Sequence, residues 1–255
     1  MGLWRELGEG IVSAIYPENL YCMACNDLLD GSDVDGASQW GLCGRCLSEL
    51  FSDENLKGTL GKDSSGRSYS RVLSCTVYGS LSKEIIGKFK NKNMPWLGKN
   101  IGALMAERFL EERRGSHRFE GCQAPDLVTF VPMHPAKKKI RGYDQAQLLA
   151  EQVGRSLGIP CVGCLERTRK TAAMKNMSEE QRNQNVAGAF QWKETADLMT
   201  DDRQLPLLGK RVILVDDIVT TGSTAEACAS VLKQAGAGEV TLLTFAAAAH
   251  TNRKI

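Results

Sequence analysis

The sequence lacks any apolar run of the length that a membrane-spanning helix needs, and its 255 residues carry almost no net charge. A spanning helix takes about 20 consecutive apolar residues, so we expect no membrane span. The segment Gly2–Ala14 contains Glu6 and Glu9, which favours a short amphipathic helix over a secretory signal. With 32 basic and 30 acidic residues, the net charge of +2 gives no global field that would attract nucleic acid. We therefore expect a soluble, cytoplasmic protein.

Two further absences narrow the choice of function. The chain has no G-x-x-x-x-G-K-[ST] loop, which argues against a Walker nucleotide-binding site. Aromatic residues are few, at 6%, and are sparse in the basic stretches, where stacking on bases would need them. Those basic stretches are local, because residues 81–100 hold five lysines against one acid and Lys137–Arg141 forms a second run.

The most informative stretch joins an apolar strand, two acids and a turn rich in hydroxyl groups. Four apolar residues, Val212–Val215, predict a buried strand of a parallel sheet that ends at Asp216. Apolar residues at intervals of three and four then predict a helix that ends near Gly236. Residues Thr221–Thr224 would lie at the helix N-terminus, where unpaired amides and the helix dipole attract an anion.

This arrangement is typical of a site for a sugar phosphate. Gly222 lets the backbone approach a phosphate closely. Asp216 and Asp217 would instead face hydrogen-bond donors such as ribose hydroxyls, with Mg²⁺ nearby. A plain strand, turn and helix with an Asp cap is the alternative, although it would not need four hydroxyls around one glycine. The residues that supply these hydroxyls are Thr220, Thr221, Ser223 and Thr224.

The thirteen residues from Val212 to Thr224 resemble the 5-phosphoribosyl-1-pyrophosphate (PRPP) motif of type I phosphoribosyltransferases. The resemblance implies that Thr220–Thr224 hold the 5′-phosphate and that Asp216 and Asp217 bind the ribose hydroxyls. It implies no general base, because purine-salvage members of that family place a carboxylate where this chain has Thr220.

Four of the nine cysteines form two C-x-x-C pairs that are separated by 17 residues. This spacing predicts a closed, structural four-thiolate zinc ribbon with no position open for catalysis. Two disulfides or free buried thiols are the alternative. Residues 30–36, between the pairs, are turn-rich and apolar-poor, so the region needs the metal to fold. The predicted zinc ligands are Cys22, Cys25, Cys43 and Cys46.

The chain divides into an N-terminal helix and zinc ribbon at residues 1–60 and an α/β part at residues 70–255. Alternation of strands and helices in the second part implies a parallel sheet flanked by helices. A third cysteine pair, Cys161 and Cys164, stands alone and is predicted to begin a strand, with its thiols packed as small hydrophobes. The other predicted elements are helices at 81–89, 101–113 and 146–157, strands at 126–131 and 238–245, and a linker at 61–68.

The order of these features resembles the ComF/GntX family over nearly the whole chain. Besides the cysteines and the PRPP motif, the resemblance rests on Val131–Pro135, Arg141–Ala146 and Arg182–Phe190. It implies a double zinc ribbon fused to a type I phosphoribosyltransferase domain, and some members are required for DNA uptake in natural transformation. Two departures, Met174 and the pair Tyr143–Asp144, affect what a flexible loop would admit.

The resemblance to phosphoribosyltransferases also implies a pyrophosphate site formed by the loop Val131–Pro135 and by basic residues. Arg141 is the preferred cation, because a guanidinium clamps two phosphate oxygens at once. Lys90 is the second, and Arg167, Arg169 and Lys170 would extend the basic rim. The alternatives are a solvated loop at residues 137–141 and a lysine at the edge of a helix for Lys90.

Two functions follow as hypotheses. The chain is an enzyme that binds PRPP with Mg²⁺ and transfers the phosphoribosyl group to an unidentified acceptor. Alternatively, it is a non-catalytic module that binds PRPP or a nucleotide and acts in DNA uptake, with the ribbon and a lysine surface contacting single-stranded DNA or a partner protein. The lysine surface would consist of Lys88, Lys90 and Lys92.

Overall fold

The computed structural model describes residues 20–29, 37–52, 66–91, 94–115, 124–169, 181, 186, 188–193 and 207–248. Several predicted features lie outside these residues, so the structure does not describe them. They are the helix at 2–14, the turn-rich segment 30–36, the linker at 61–65, Lys92, Lys170, Met174 and residues 182–185.

The described residues form six strands and six helices, with a short 3₁₀ turn before the first helix. The strands are β1 (Arg71–Val77), β2 (Leu127–Phe130), β3 (Leu165–Arg167), β4 (Phe190–Trp192), β5 (Arg211–Val219) and β6 (Glu239–Ala247). The helices are α1 (Gly44–Leu50), α2 (Ser80–Asn91), α3 (Leu97–Gly115), α4 (Pro135–Arg141), α5 (Gln145–Leu157) and α6 (Ser223–Gln234); the 3₁₀ turn is Ala37–Trp40.

Four strands form a parallel sheet in the order β1-β6-β5-β2. The two central strands, β5 and β6, are buried along most of their length, as expected for a sheet covered on both faces. β3 and β4 form a separate antiparallel pair. These features confirm the predicted α/β class with a parallel sheet flanked by helices.

The predicted end of the key strand at Asp216 is wrong, because β5 continues to Val219. Asp216 pairs with Thr244, and Val219 pairs with Ala247, so β5 remains hydrogen-bonded along the whole of β6. Hydrogen bonding to the long strand β6 keeps β5 extended even where its residues change from apolar to acidic. The two acids therefore project from a fixed strand backbone rather than from a loop.

The predicted helices that fall within the described residues are present, with ends that shift by a few residues. Asp144 caps the N-terminus of α5 by accepting from the Gln147 amide, and Gly158, with a φ of 68°, ends the helix. The basic run at residues 137–141 is helical rather than a loop, and none of the residues in α4 is buried. The side chains of this run are therefore solvated, as in the alternative of a solvated loop, but its backbone is helical.

The region of Cys161 and Cys164 agrees with its prediction. Cys161 makes a parallel bridge to Val128 of β2, which extends the sheet edge by one short segment. Cys164 is fully buried, with its sulfur 3.2 Å from Thr129 Oγ1, and it packs as a small side chain in the core.

The cysteine-rich region packs directly on the α/β part. Leu42 and Leu50 belong to the same buried cluster as Leu73 and Ile85, and Thr76 Oγ1 donates to the Leu50 carbonyl at 2.9 Å. The division at residues 60 and 70 stays a prediction, because the two sides share one core. None of the helices described is both long enough and apolar enough to span a membrane.

Candidate functional site

The two acids of the PRPP-like motif lie near the carboxyl end of β5 beside a lysine from α2. Asp217 Oδ2 is 2.6 Å from Lys90 Nζ, and the Asp217 amide donates to Asp216 Oδ1 at 2.8 Å. Burial, and then the charge of Asp217, raise the pKa of Asp216 to about 8, although Lys90 acts in the opposite direction. Two adjacent carboxyl groups, with a lysine paired to one of them, form a site that would gain from further positive charge.

The contacts of Phe89, the residue before Lys90, hold Lys90 in place. Phe89 is fully buried, its ring lies 5.8 Å from the Tyr143 ring, and its carbonyl accepts a short hydrogen bond from the Tyr143 hydroxyl. Tyr143 lies in the turn between α4 and α5. The contact between Tyr143 and Phe89 therefore joins this turn to the last turn of α2, close to Asp216 and Asp217.

The loop after β2 is fixed by Asp144. The Met133 amide donates to Asp144 Oδ2 at 2.7 Å, and burial raises the pKa of this carboxyl. Arg141, at the end of α4, donates to Gln145 Oε1 at 2.6 Å. Asp144 thus connects the loop after β2 tightly to the start of α5.

These elements enclose a cavity of about 300 Å³. Five of the predicted ligand residues line it together, although they come from four separate parts of the chain. Gln145 was missed by the sequence analysis; its Nε2 is buried and has no hydrogen-bond partner among the described residues, so it is a donor available to a ligand. The predicted residues in the lining are Lys90, Arg141, Asp216, Asp217 and Thr224.

The other four predicted residues, Thr220–Ser223, form the turn between β5 and α6 and the first residue of α6, and they do not line this cavity. Thr221 Oγ1 is 3.0 Å from Ser223 Oγ, so two of the hydroxyls are close together. Gly222 has a φ of 79° and precedes the first residue of α6. A Cβ at this position would lie 2.5 Å from the Tyr69 hydroxyl, so the turn requires glycine for both its conformation and its packing.

The two C-x-x-C pairs meet in the N-terminal region. Their four sulfur atoms lie within 4.8 Å of one another, and the sulfurs of Cys25 and Cys43 are 3.8 Å apart. Zinc with bonds of about 2.3 Å to four thiolates requires sulfur separations of about 3.8 Å at tetrahedral geometry. All four cysteines are free thiols rather than disulfides. The cluster therefore fits a closed metal site such as structural zinc.

The two cysteine pairs are presented by different local structures. In the first, the Asn26 amide donates to the Cys22 carbonyl at 2.9 Å and closes a turn. In the second, Cys43 caps α1 and Cys46 lies in its first turn, where the helix dipole favours a thiolate. The Met23 amide donates to the Gly41 carbonyl at 2.8 Å and joins the two structures.

Comparison with known proteins agrees with this arrangement. Residues 144–255 match the family model described as phosphoribosyl transferase domain. Competence protein F of Haemophilus influenzae is 28% identical over 200 residues, which cover 78% of this chain and 81% of that protein. DNA utilization protein YhgH of Escherichia coli K12 is 27% identical over 214 residues, 79% of this chain and 88% of that protein. The chain is therefore homologous to these ComF-family proteins over most of its length.

One predicted role of a lysine is corrected by the structure. Lys88 was assigned to an exposed lysine surface, but its side chain is only 3% exposed. Its ammonium group donates to the carbonyls of Met23 and Ala24 at 2.9 and 2.8 Å and to Asn26 Oδ1 at 2.8 Å. Since the cysteine turn supplies these three acceptors, Lys88 is part of the interior and is not available to DNA.

The predicted basic rim is only partly assembled around the cavity. Arg167 lines the cavity, with its guanidinium carbon 5.1 Å from the centre of the Phe190 ring. Burial lowers the pKa of Arg167, while Cys228 and Asp216 act to raise it. Arg169 is absent from the lining residues. Gln145 belongs to the motif Arg141–Ala146, on which the family resemblance partly rests. The sequence does not show which polar residue of that motif is buried.

Proposed function

We propose that this protein binds PRPP together with Mg²⁺ and transfers the phosphoribosyl group to an unidentified acceptor. The observation that carries the proposal is the meeting of Lys90, Arg141, Asp216, Asp217 and Thr224 around one cavity. The phosphoribosyl transferase match and the similarity to ComF-family proteins support it.

The chemistry assigned to each residue follows from its charge and position. The amides and hydroxyls of Thr220–Thr224 would bind the 5′-phosphate at the start of α6. Asp216 and Asp217 would accept hydrogen bonds from the ribose hydroxyls, and Lys90 and Arg141 would bind the pyrophosphate oxygens. Mg²⁺, when bound, would neutralise further pyrophosphate charge.

In the proposed reaction the bond between ribose C1 and the pyrophosphate oxygen breaks as a nucleophile forms a new bond to C1. Positive charge builds on the ribose during this step, and both electrons of the broken bond leave with pyrophosphate. Asp216 and Asp217 would stabilise the ribose charge, and Lys90 and Arg141 the leaving group. No side chain in the cavity is assigned as a base.

Replacing Lys90 by methionine is expected to weaken the binding of PRPP with Mg²⁺ by about 10- to 100-fold. The variant loses a cation for pyrophosphate and leaves Asp217 beside Asp216 without its ion pair. Titration calorimetry measures the change. Lys83→Met, on the exposed side of the same helix, is the matched control and should bind as the parent does.

Equal affinities for the parent and for Lys90→Met would contradict the assignment of Lys90. Absence of PRPP binding by the parent would contradict the proposed function itself. Release of pyrophosphate from PRPP, measured with a panel of bases and amines, separates an enzyme from a protein that only binds the ligand.

The second candidate function is a non-catalytic PRPP- or nucleotide-binding module that acts in DNA uptake by contacting single-stranded DNA or a partner protein. The names of the relatives, Competence protein F and DNA utilization protein YhgH, favour a role connected with DNA. In the structure, α4 offers an exposed basic surface with no buried residue. Lys88 no longer contributes to such a surface.

Replacing Lys138 and Lys139 together by alanine is expected to weaken single-stranded DNA binding and to flatten its salt dependence. Each phosphate contact to a single strand contributes about 0.7 to the slope of log affinity against log salt, so the slope should fall by about 1.4. The measurement is fluorescence anisotropy at several salt concentrations. The control Lys83→Ala with Lys99→Ala removes the same charge from two other exposed positions. An identical slope in both double variants would remove α4 from this role.

A further inference from the structure

We propose that Lys88 is a positioning residue that couples the cysteine metal site to the PRPP cavity through the last turn of α2. The inference rests on the proposed function for its ligand and deepens it. It gives the metal site a second role, because zinc would hold the pocket residue Lys90 in place as well as stabilise the N-terminal region.

At one end of this connection, the Lys88 ammonium lies against the first cysteine turn. Its acceptors include the carbonyls of Met23 and Ala24, the two residues between Cys22 and Cys25. The direction of these two carbonyls depends on the closed turn that brings the sulfurs of Cys22 and Cys25 to the metal site. Zinc with four thiolates carries a net charge of about −2, which further favours a buried ammonium at this position.

At the other end, Lys90 lies two residues further along the chain and pairs with Asp217 at 2.6 Å. Phe89 stands between them, fully buried and bonded through its carbonyl to the Tyr143 hydroxyl. One helical turn therefore contacts the cysteine turn through Lys88, the cavity through Lys90, and the turn before α5 through Phe89. No loop or linker intervenes between these contacts.

Loss of the metal would release the cysteine turn and change the direction of its carbonyls. The Lys88 ammonium would then lose its three hydrogen-bond acceptors and keep the Glu84 carboxylate, 3.7 Å away, as an ion pair. Loss of three hydrogen bonds from a buried ammonium is unfavourable, so it must move toward water or its helical turn must shift. Either movement displaces the backbone that carries Lys90. The Lys90–Asp217 pair, and with it the affinity for the pyrophosphate, would weaken.

The test is a double-mutant cycle on the full chain, with PRPP and Mg²⁺ affinity measured by calorimetry. Lys88→Met removes the three donated hydrogen bonds and should weaken binding about 10-fold, while the matched variant Lys83→Met leaves it unchanged. In a Lys90→Met background, Lys88→Met should change affinity less than about twofold, because its effect passes through Lys90. An equal effect in both backgrounds, or no effect in either, would overturn the proposal.

A second measurement needs neither the ligand nor a folded Lys88 variant. Hydrogen–deuterium exchange of the amides of Phe89–Asn91 is compared in the parent before and after a chelator removes the metal. We expect exchange at least about 10-fold faster after removal, while the last turn of α6, Val231–Gln234, which does not line the cavity, stays unchanged. Unchanged exchange at Phe89–Asn91 would overturn the coupling. If the parent fails to bind PRPP but the exchange responds, the proposed function fails while the coupling stands.

Discussion

Replacing Cys46 by serine is expected to prevent the four-cysteine cluster from holding a metal such as zinc and to lower the free energy of unfolding by at least about 3 kcal/mol. Structural zinc contributes about 10–16 kcal/mol of binding free energy in isolated zinc-finger peptides, and serine is a poor substitute for a thiolate ligand. In this protein the cysteine region also packs in the core of the α/β part, so only part of that free energy is lost. For a chain of this size, the melting temperature should fall by about 10 °C.

The size of this effect follows from how the cysteine region is packed. Cys46 is 2% exposed and lies in one buried cluster with Leu42, Leu50 and Ile85. Opening the metal site therefore exposes apolar surface on α2 as well as in the N-terminal region. The loss is not confined to a peripheral module.

Metal analysis by mass spectrometry and thermal denaturation check this prediction, and they also identify the metal. Cys161→Ser is the matched control, because Cys161 is only half-buried and lies outside the four-cysteine cluster. The control should keep its metal and melt within a few degrees of the parent. A Cys46→Ser protein that retained stoichiometric metal and the parent's melting temperature would refute the assignment of Cys46 as a ligand.

Replacing Gly222 by alanine is expected to cost about 2–5 kcal/mol of stability and to abolish measurable binding of PRPP. The left-handed backbone at φ 79° costs a residue with a Cβ about 1–2 kcal/mol. The new methyl group would also lie 2.5 Å from the hydroxyl of Tyr69, a buried side chain, and 3.1 Å from Arg67 Nη1. Such overpacking adds about 1–3 kcal/mol.

Relief of this contact would move the turn between β5 and α6, where the 5′-phosphate is proposed to bind. Urea denaturation and calorimetry with PRPP measure the two effects separately. Gly87→Ala is the control, since Gly87 lies within α2 and a Cβ there meets no atom within 4 Å. That variant should be more stable than the parent by up to about 1 kcal/mol. Equal stabilities for the two variants would show that Gly222 is not conformationally required.

Local sequence patterns predicted most of the elements, because the patterns that identify them are short-range. The apolar run Val212–Val215 lies in the central strand, and the residues after Gly222 form the helix that their spacing predicts. The end of β5 was misjudged because ladder pairing with β6 extends it through two acids and beyond. Pairing partners are distant in the sequence, so no local pattern reports them.

Lys88 and Lys90 also show that a local pattern does not report contacts between distant segments. Lys88 and Lys90 are two residues apart in a basic stretch that looks like one solvated surface. In the structure Lys88 is buried against the first cysteine turn, and Lys90 pairs with Asp217 in the cavity. A lysine is tolerated inside a protein only when acceptors surround its ammonium, and those acceptors come from a segment more than 60 residues away.

The sequence by itself determined the resemblance to ComF proteins, the α/β class with its PRPP-like motif, and the four cysteines that cluster and could hold a metal. These follow from residue types at fixed short spacings, which local chemistry constrains. The tertiary structure alone decided that Lys90 meets Asp217, that Gln145 lines the cavity, and that one turn of α2 contacts both the cysteine cluster and the pocket. Those contacts join separate segments, and only the packing of the core brings such segments within hydrogen-bonding distance.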